Sequence, residues 1–139
     1  MAFRPYLFFG GNCREVFTRY QEIFGGELFL MSMKDAPGEE APPPEMADAI
    51  IHAAITIGDD LHMASDDPTT DSFGPVQGMM VSYDAKDVDD ATRVFEALAE
   101  GGTVTEALQP TFFSAAFGMC TDRFGTPWMV VAPDPNQQG

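Results

Sequence analysis

Residues 12–26, NCREVFTRYQEIFGG, and residues 87–102, DVDDATRVFEALAEGG, decide the fold. In the first, Val16, Phe17, Tyr20, Ile23 and Phe24 recur at helical spacing. In the second, Ala91, Val94, Phe95, Leu98 and Ala99 do the same. Each segment opens on a good N-cap residue, Asn12 or Asp87, with an acidic residue three positions later, Glu15 or Asp90. That is the capping-box spacing. Each stops at a diglycine, Gly25-Gly26 or Gly101-Gly102, where a helix can terminate without steric cost. Shifting the chain by 75 residues lays Val16 on Ala91, Tyr20 on Phe95, Ile23 on Leu98 and Phe24 on Ala99.

Working outward, the same elements flank both helices. Pro5 to Phe9 reads as a strand before the first helix, and Gly78 to Tyr83 before the second. Three strands follow each: Glu27 to Met33, Ile50 to Ile57 and Leu61 to Ser65, then Thr103 to Leu108, Ser114 to Cys120 and Pro127 to Val131. In the last strand of each half, Gly58-x-x-Leu61-His62-Met63 lies over Gly125-x-x-Trp128-Met129-Val130. A helix, a diglycine stop and a terminal strand recurring in one order point to duplication. The expected fold is α+β: two βαβββ modules, residues 1–72 and 73–132, with a frayed tail over 133–139. A four-stranded sheet with one helix on it leaves its other face apolar. The modules are therefore expected to join as an open, barrel-like eight-stranded sheet around a cleft, where a ligand can sit. Asp35 to Asp48, with Pro37, Pro42, Pro43 and Pro44, and Asp66 to Pro75 read as loops.

Composition excludes several functions. The 139 residues carry 22 Asp+Glu against 7 Lys+Arg, a net charge of −15. Phosphate-backbone binding needs clustered cations, so nucleic acid is not an expected partner, and anionic membranes are disfavoured by the same sign. Tyr6-Leu7-Phe8-Phe9 is too short an apolar run for a signal peptide or a span. The two cysteines, Cys13 and Cys120, cannot make a disulfide framework, which fits a reducing cytoplasm. Cationic or neutral small molecules remain as ligands, and the acidity favours the former.

The pattern resembles the vicinal oxygen chelate superfamily of glyoxalase, bleomycin-resistance and dioxygenase proteins, and within it the PhnB-like branch. The carrying residues are Pro5-Tyr6-Leu7-Phe8-Phe9-Gly10-Gly11-Asn12-Cys13, His52-Ala53, Gln109-Pro110-Thr111-Phe112-Phe113 and Thr121-Asp122-Arg123-Phe124-Gly125-Thr126-Pro127-Trp128-Met129. The resemblance implies the paired modules and a homodimer. Metal-dependent members of the superfamily hold a cation with four His, Gln or Glu side chains on the first and fourth strands of each module. The matching positions here are Pro5, His62, Gly78 and Met129, of which only His62 can ligate a hard or borderline divalent ion. One ligand does not hold a catalytic metal. No cofactor is therefore expected. Some PhnB-like proteins carry a ubiquinone-pathway methyltransferase label, but no G-x-G-x-G loop is present to seat a methyl donor.

The expected ligand-binding residues are His62, Asp66, His52, Phe113, Met80 and Met129. His62 is mid-strand and suited to proton transfer; equally, it can be a satisfied polar residue of a cavity wall. His52 lies with Ile50 and Ala54 on the less apolar face of its strand, where it can instead bond a neighbouring strand or a dimer partner. Asp66 follows the strand end expected at the cavity mouth, though solvated loop charge is the blander account. Phe113, Met80 and Met129 can form a soft apolar pocket or simply core. The turn from Asp122 to Trp128 reads as architecture. No catalytic residue is assigned. The leading expectation is a small-molecule binding protein lacking the four-ligand centre. The alternatives are a metal-dependent lyase, isomerase or dioxygenase with displaced ligands (His52, His62, Asp66 and an acidic residue of the second module) and a non-catalytic homodimer.

Overall fold

Both diglycine-terminated segments fold as helices, α1 over Cys13–Phe24 and α2 over Val88–Ala99, in a computed structural model that describes residues 4–35, 47–67 and 77–134. Their buried residues follow the apolar stripe: Cys13, Val16, Phe17, Tyr20 and Ile23 in α1, and Ala91, Val94, Phe95 and Leu98 in α2. The two N-termini are closed differently. Asp87 caps α2, accepting a hydrogen bond from the Asp90 N–H at 2.7 Å. Asn12 takes the N-cap position of α1 without a side-chain cap bond.

The chain divides into two compact units, Met1–Phe73 and Gly74–Gly139. Unit one carries β1 (Tyr6–Phe9), β2 (Glu27–Ser32), β3 (Ile50–Ile57) and β4 (Asp60–Asp66) in the sheet order β1-β4-β3-β2. Unit two carries β5 (Val81–Asp84), β6 (Thr103–Gln109), β7 (Ala116–Thr121) and β8 (Pro127–Ala132) in the order β5-β8-β7-β6. The order is the same in both. In each, the first strand runs parallel to the fourth and the other pairs are antiparallel. The duplicated βαβββ architecture is thus present as two mixed four-stranded sheets. Each keeps free edges, so neither closes into a barrel.

Several boundaries differ from those read in the sequence, for local reasons. β5 starts at Val81 rather than Gly78, because Gly78 adopts φ 79°, which no strand residue holds. β2 ends at Ser32, whose hydroxyl donates to the Asp35 carboxylate at 2.7 Å across a short 3-10 turn, Met33–Asp35. β7 starts at Ala116 because Ser114 is buried in a turn, its hydroxyl bonded to the carbonyls of Ala116 and Ala132. Asp66 belongs to β4 rather than to a loop. Residues 36–46 and 68–75 of the two expected loops, and 135–139 of the expected tail, lie outside the described residues. Among the described residues, no helix is long and apolar enough to cross a membrane.

Two glycines fix how helix and sheet meet. Gly26 has φ 81°, and a Cβ there would strike the Thr56 carbonyl oxygen. At Gly118 a Cβ would sit 2.8 Å from Phe95 Cε2 and 3.0 Å from Leu108 Cα, so the bare backbone of β7 is the seat for the α2 aromatic ring.

Candidate functional site

Strand alternation gives each sheet a helix face and an opposite, open face. In unit one Leu7 and Phe9 are buried and Phe9 meets Phe17 of α1 at 6.4 Å, so Tyr6 and Phe8 lie on the open face. The register carries this across the sheet. Tyr6 stands opposite Met63, Ala54 opposite both Met63 and Phe29, and His52 opposite Met31. The open face of unit one is therefore aromatic and thioether-rich. Phe8 is 56% exposed and Phe29 49% exposed, far more than isolated core residues.

His52 sits at the centre of this patch. The Tyr6 hydroxyl lies 3.3 Å from its Nδ1, within hydrogen-bond reach. The Tyr6 ring is stacked at 6.0 Å from the imidazole, the Phe29 ring is 6.2 Å away, and Phe8 is 5.2 Å from Tyr6. A polar pair framed by exposed rings can grip a planar or apolar ligand and orient it through one hydrogen bond.

His62 and Asp66 occupy the helix face, not the open one. His62 stands opposite Ile55, which is buried. Its ring stacks on Phe17 at 5.1 Å and on Tyr20 at 5.7 Å, both residues of α1. Its ring nitrogens are sealed from solvent, and burial pushes its pKa down to about 4. The imidazole is thus neutral at physiological pH and serves as a flat packing element. Asp66 is a structural anchor: one carboxylate oxygen accepts the N–H groups of Gly11 (3.0 Å) and Cys13 (2.9 Å), the other the N–H of Ile50 (2.9 Å). It does for α1 what the Asn12 side chain does not, closing the helix N-terminus from another strand. Burial, helped by the Asp66 charge, raises the Cys13 thiol to about 12, and burial, helped by Asp122, raises Cys120 to about 11. Both are inert as nucleophiles.

In unit two, Met129 lies opposite Met119 on the face away from Trp128, Val130 and α2. Phe117 shares that face, and Phe113 meets its ring edge-on at 5.1 Å. Met80 is half-buried in the segment before β5. The Asp122 turn is architecture: its carboxylate accepts the N–H groups of Phe124 (2.9 Å) and Thr126 (3.0 Å) and the indole N–H of Trp128 (2.9 Å). At the N-terminus of α2, Asp90 takes the Tyr83 hydroxyl at 2.7 Å and the Arg93 guanidinium at 3.0 Å. Burial would raise the Asp90 carboxyl, but these bonds hold it below its ordinary range.

The repeat is displaced by one residue from the sequence alignment. Ile55 with His62, and Cys120 with Trp128, are the corresponding helix-face pairs. The open-face residues of first and fourth strands are then Tyr6 and Met63 in unit one, and Ser82 and Met129 in unit two. In neither unit does one hydroxyl-bearing side chain with one thioether make a ligand set for a hard or borderline divalent cation. Among the described residues, no three His, Cys, Asp or Glu gather around a point. Tyr6, Phe8 and Phe29 are the site residues that sequence reasoning missed. The signal was the alternation in Tyr6-Leu7-Phe8-Phe9, which puts a phenol on the face opposite two buried neighbours.

Comparison with known proteins adds kinship. A family model described as 3-demethylubiquinone-9 3-methyltransferase matches residues 1–131. Protein YjdN of Escherichia coli (strain K12) is 34% identical over 149 residues, spanning 99% of this chain and 100% of that protein. The crystal structure of PA1353 from Pseudomonas aeruginosa is 40% identical, covers 96% of this chain and 98% of its own, and superposes with a TM-score of 0.82. A glyoxalase/bleomycin resistance protein/dioxygenase family enzyme from Burkholderia phytofirmans PsJN shares the fold at 12% identity, with a TM-score of 0.64 over 94% of this chain and 97% of that one.

Proposed function

The chain belongs to the PhnB-like family described as 3-demethylubiquinone-9 3-methyltransferase, and from that membership we propose that it binds a small molecule on the open face of its first unit, without a four-ligand metal centre. The observation that carries this is the Tyr6–His52 hydrogen-bonded pair set among exposed rings. The ligand rests its apolar surface on Phe8 and Phe29 and takes one hydrogen bond from the pair. The open face of unit two, taken by itself, carries Phe117, Met119 and Met129, a softer apolar surface. Methyl transfer is not part of this reading, since the sequence has no glycine-rich loop for a methyl donor. The buried, reduced Cys13 and Cys120 fit a cytoplasmic protein.

The test is a thermal-shift screen of planar aromatic and organic-cation fragments, followed by titration of the hits. His52→Ala and Phe29→Ala are each expected to weaken binding by about three- to tenfold, the scale of one lost hydrogen bond or one lost aromatic contact. His62→Phe is expected to leave binding unchanged. Hits indifferent to His52→Ala, or lost in His62→Phe, would put the ligand elsewhere.

A second reading accompanies the first: the protein pairs with a second copy of itself. Phe112 supports it. The ring is 92% exposed on a turn held by the Thr111 N–H to Ser114 carbonyl bond at 3.0 Å. A rigidly displayed aromatic of this kind suits an interface anchor. Light scattering is expected to give twice the chain mass, and Phe112→Ala to shift the population toward monomer.

A further inference from the structure

We propose that the ligand of the open face of unit one is an organic cation, its ammonium group seated on the rings of Phe8, Tyr6 and Phe29. This ligand class rests on the binding site proposed above. Four rings form a continuous row on that face. Phe8 meets Tyr6 at 5.2 Å between centroids, Tyr6 meets His52 at 6.0 Å, and His52 meets Phe29 at 6.2 Å. The row runs from β1 across β4 to β3 and β2, and its three carbocyclic rings all remain exposed. The face of such a ring is electron-rich and attracts an ammonium group within about 6 Å of its centre. Adjoining rings here touch, so an ammonium resting over a junction is held by two of them at once.

The charge around the row has the matching sign. None of β1 to β4 contains a lysine or arginine. Arg4, two residues before Tyr6, is engaged with the Asp59 carbonyl at 3.0 Å. Glu27 is exposed two residues before Phe29 in β2, on the same face by strand alternation and about 7 Å along the strand. An anionic ligand would therefore find no counter-charge on this sheet and would be repelled by the net charge of −15. A neutral one would gain apolar contact alone. A cation gains the ring faces, the carboxylate at their rim and the attraction of the whole chain at long range. The Tyr6–His52 pair, within the row, is left to bond a hydroxyl on the same ligand.

The test compares two probes of one shape, choline and 3,3-dimethylbutan-1-ol, in which carbon replaces the charged nitrogen. Each is titrated into the full chain and followed by the nuclear magnetic resonance signals of the ring protons, with choline exchanged for sodium so that ionic strength stays constant. Choline is expected to bind about three- to tenfold more tightly than the alcohol, the scale of a cation on part-exposed rings. Phe8→Leu and Phe29→Leu keep apolar bulk and remove a ring face. Each is expected to cut the choline preference by about half or more, with little change for the alcohol. Glu27→Gln is expected to weaken choline about twofold and to leave the alcohol unchanged. Choline that fails to bind, or binds no better than the alcohol, overturns the proposal. So does a choline preference undiminished when Phe8 and Phe29 are both leucine, because the charge is then felt elsewhere on this acidic chain. In each of these cases fragment hits that depend on His52 keep the site itself in place. Failure of the site looks different: neither probe, nor any fragment hit, then responds to His52→Ala.

Discussion

Asp66→Ala is expected to remove about 3–5 kcal/mol of stability, because three backbone N–H groups lose their acceptor at once. The groups are those of Gly11, Cys13 and Ile50, at 3.0, 2.9 and 2.9 Å from the carboxylate. They belong to three places: the end of β1, the first turn of α1 and the start of β3. Alanine leaves the amides of Cys13 and Ile50 buried without this acceptor, and the favourable charge at the α1 N-terminus disappears with it. Asp66→Asn separates the two effects. The amide oxygen can still serve Gly11 and Cys13, while its NH2 group confronts the Ile50 N–H, donor against donor. An intermediate loss is expected. Urea unfolding followed by far-ultraviolet circular dichroism reads both, as a lowered midpoint at unchanged slope. An Asp66→Ala variant as stable as the parent would mean that the carboxylate does not hold β1, α1 and β3 together.

The role of Asp66 was not legible in the sequence, and the reason is physical. A capping partner is sought within three or four residues of a helix start, where Asn12 and Glu15 satisfied the pattern. The actual acceptor comes from 53 residues away from Cys13, through strand pairing. By contrast, the duplication was legible because it rests on local signals: a 3.6-residue stripe, a diglycine stop, and strands of period two on either side. Those signals fixed α1 and α2 and the βαβββ succession repeated in each unit.

Facing was where the reading slipped. Aligning the halves on Gly58 and Gly125 sets His62 over Met129. The hairpins differ in length, however. Gly58 and Asp59 alone join the pair Ile57–Asp60, while Asp122 to Thr126 join Thr121–Pro127. Counted outward from those turns His62 and Met129 both fall in the third pair, yet His62 faces its helix and Met129 does not; by facing, His62 corresponds to Trp128, and Met63 to Met129. A slip of one residue in a strand exchanges the faces, and so His62 and Asp66 moved from an expected pocket wall to the helix side. His52 kept its place, because its strand was read with the correct alternation. Tyr6 entered the site only through contact: its hydroxyl meets His52 from a strand 46 residues away, a proximity that no local pattern encodes.

The helix-side position of His62 makes stability depend on pH as it falls from 6.5 toward 4. Burial lowers the folded pKa from 6.5 to about 4. Above pH 6.5 the imidazole is neutral in both states and the full stability is present. As pH falls from 6.5 toward 4, the unfolded chain takes up a proton that the folded one refuses, and stability is lost; at 1.36 kcal/mol per pH unit, the loss reaches about 3 kcal/mol. His62→Phe keeps a flat ring against Phe17 and Tyr20, now 5.1 and 5.7 Å from the imidazole, and removes the titration. The stability difference between parent and variant is therefore expected to grow in the variant's favour as pH falls through this window. Carboxylate protonation and relief of the −15 net charge act on both proteins and cancel in the difference. Equilibrium unfolding at pH 7, 6, 5 and 4.5 measures it, and the His62 ring-proton shift should stay near its neutral value down to about pH 5 and be midway through its change near pH 4. Parallel stability curves for parent and variant would mean that the imidazole is charged beneath α1. In that case a buried cation is held there, and the flat packing role assigned to His62 is wrong.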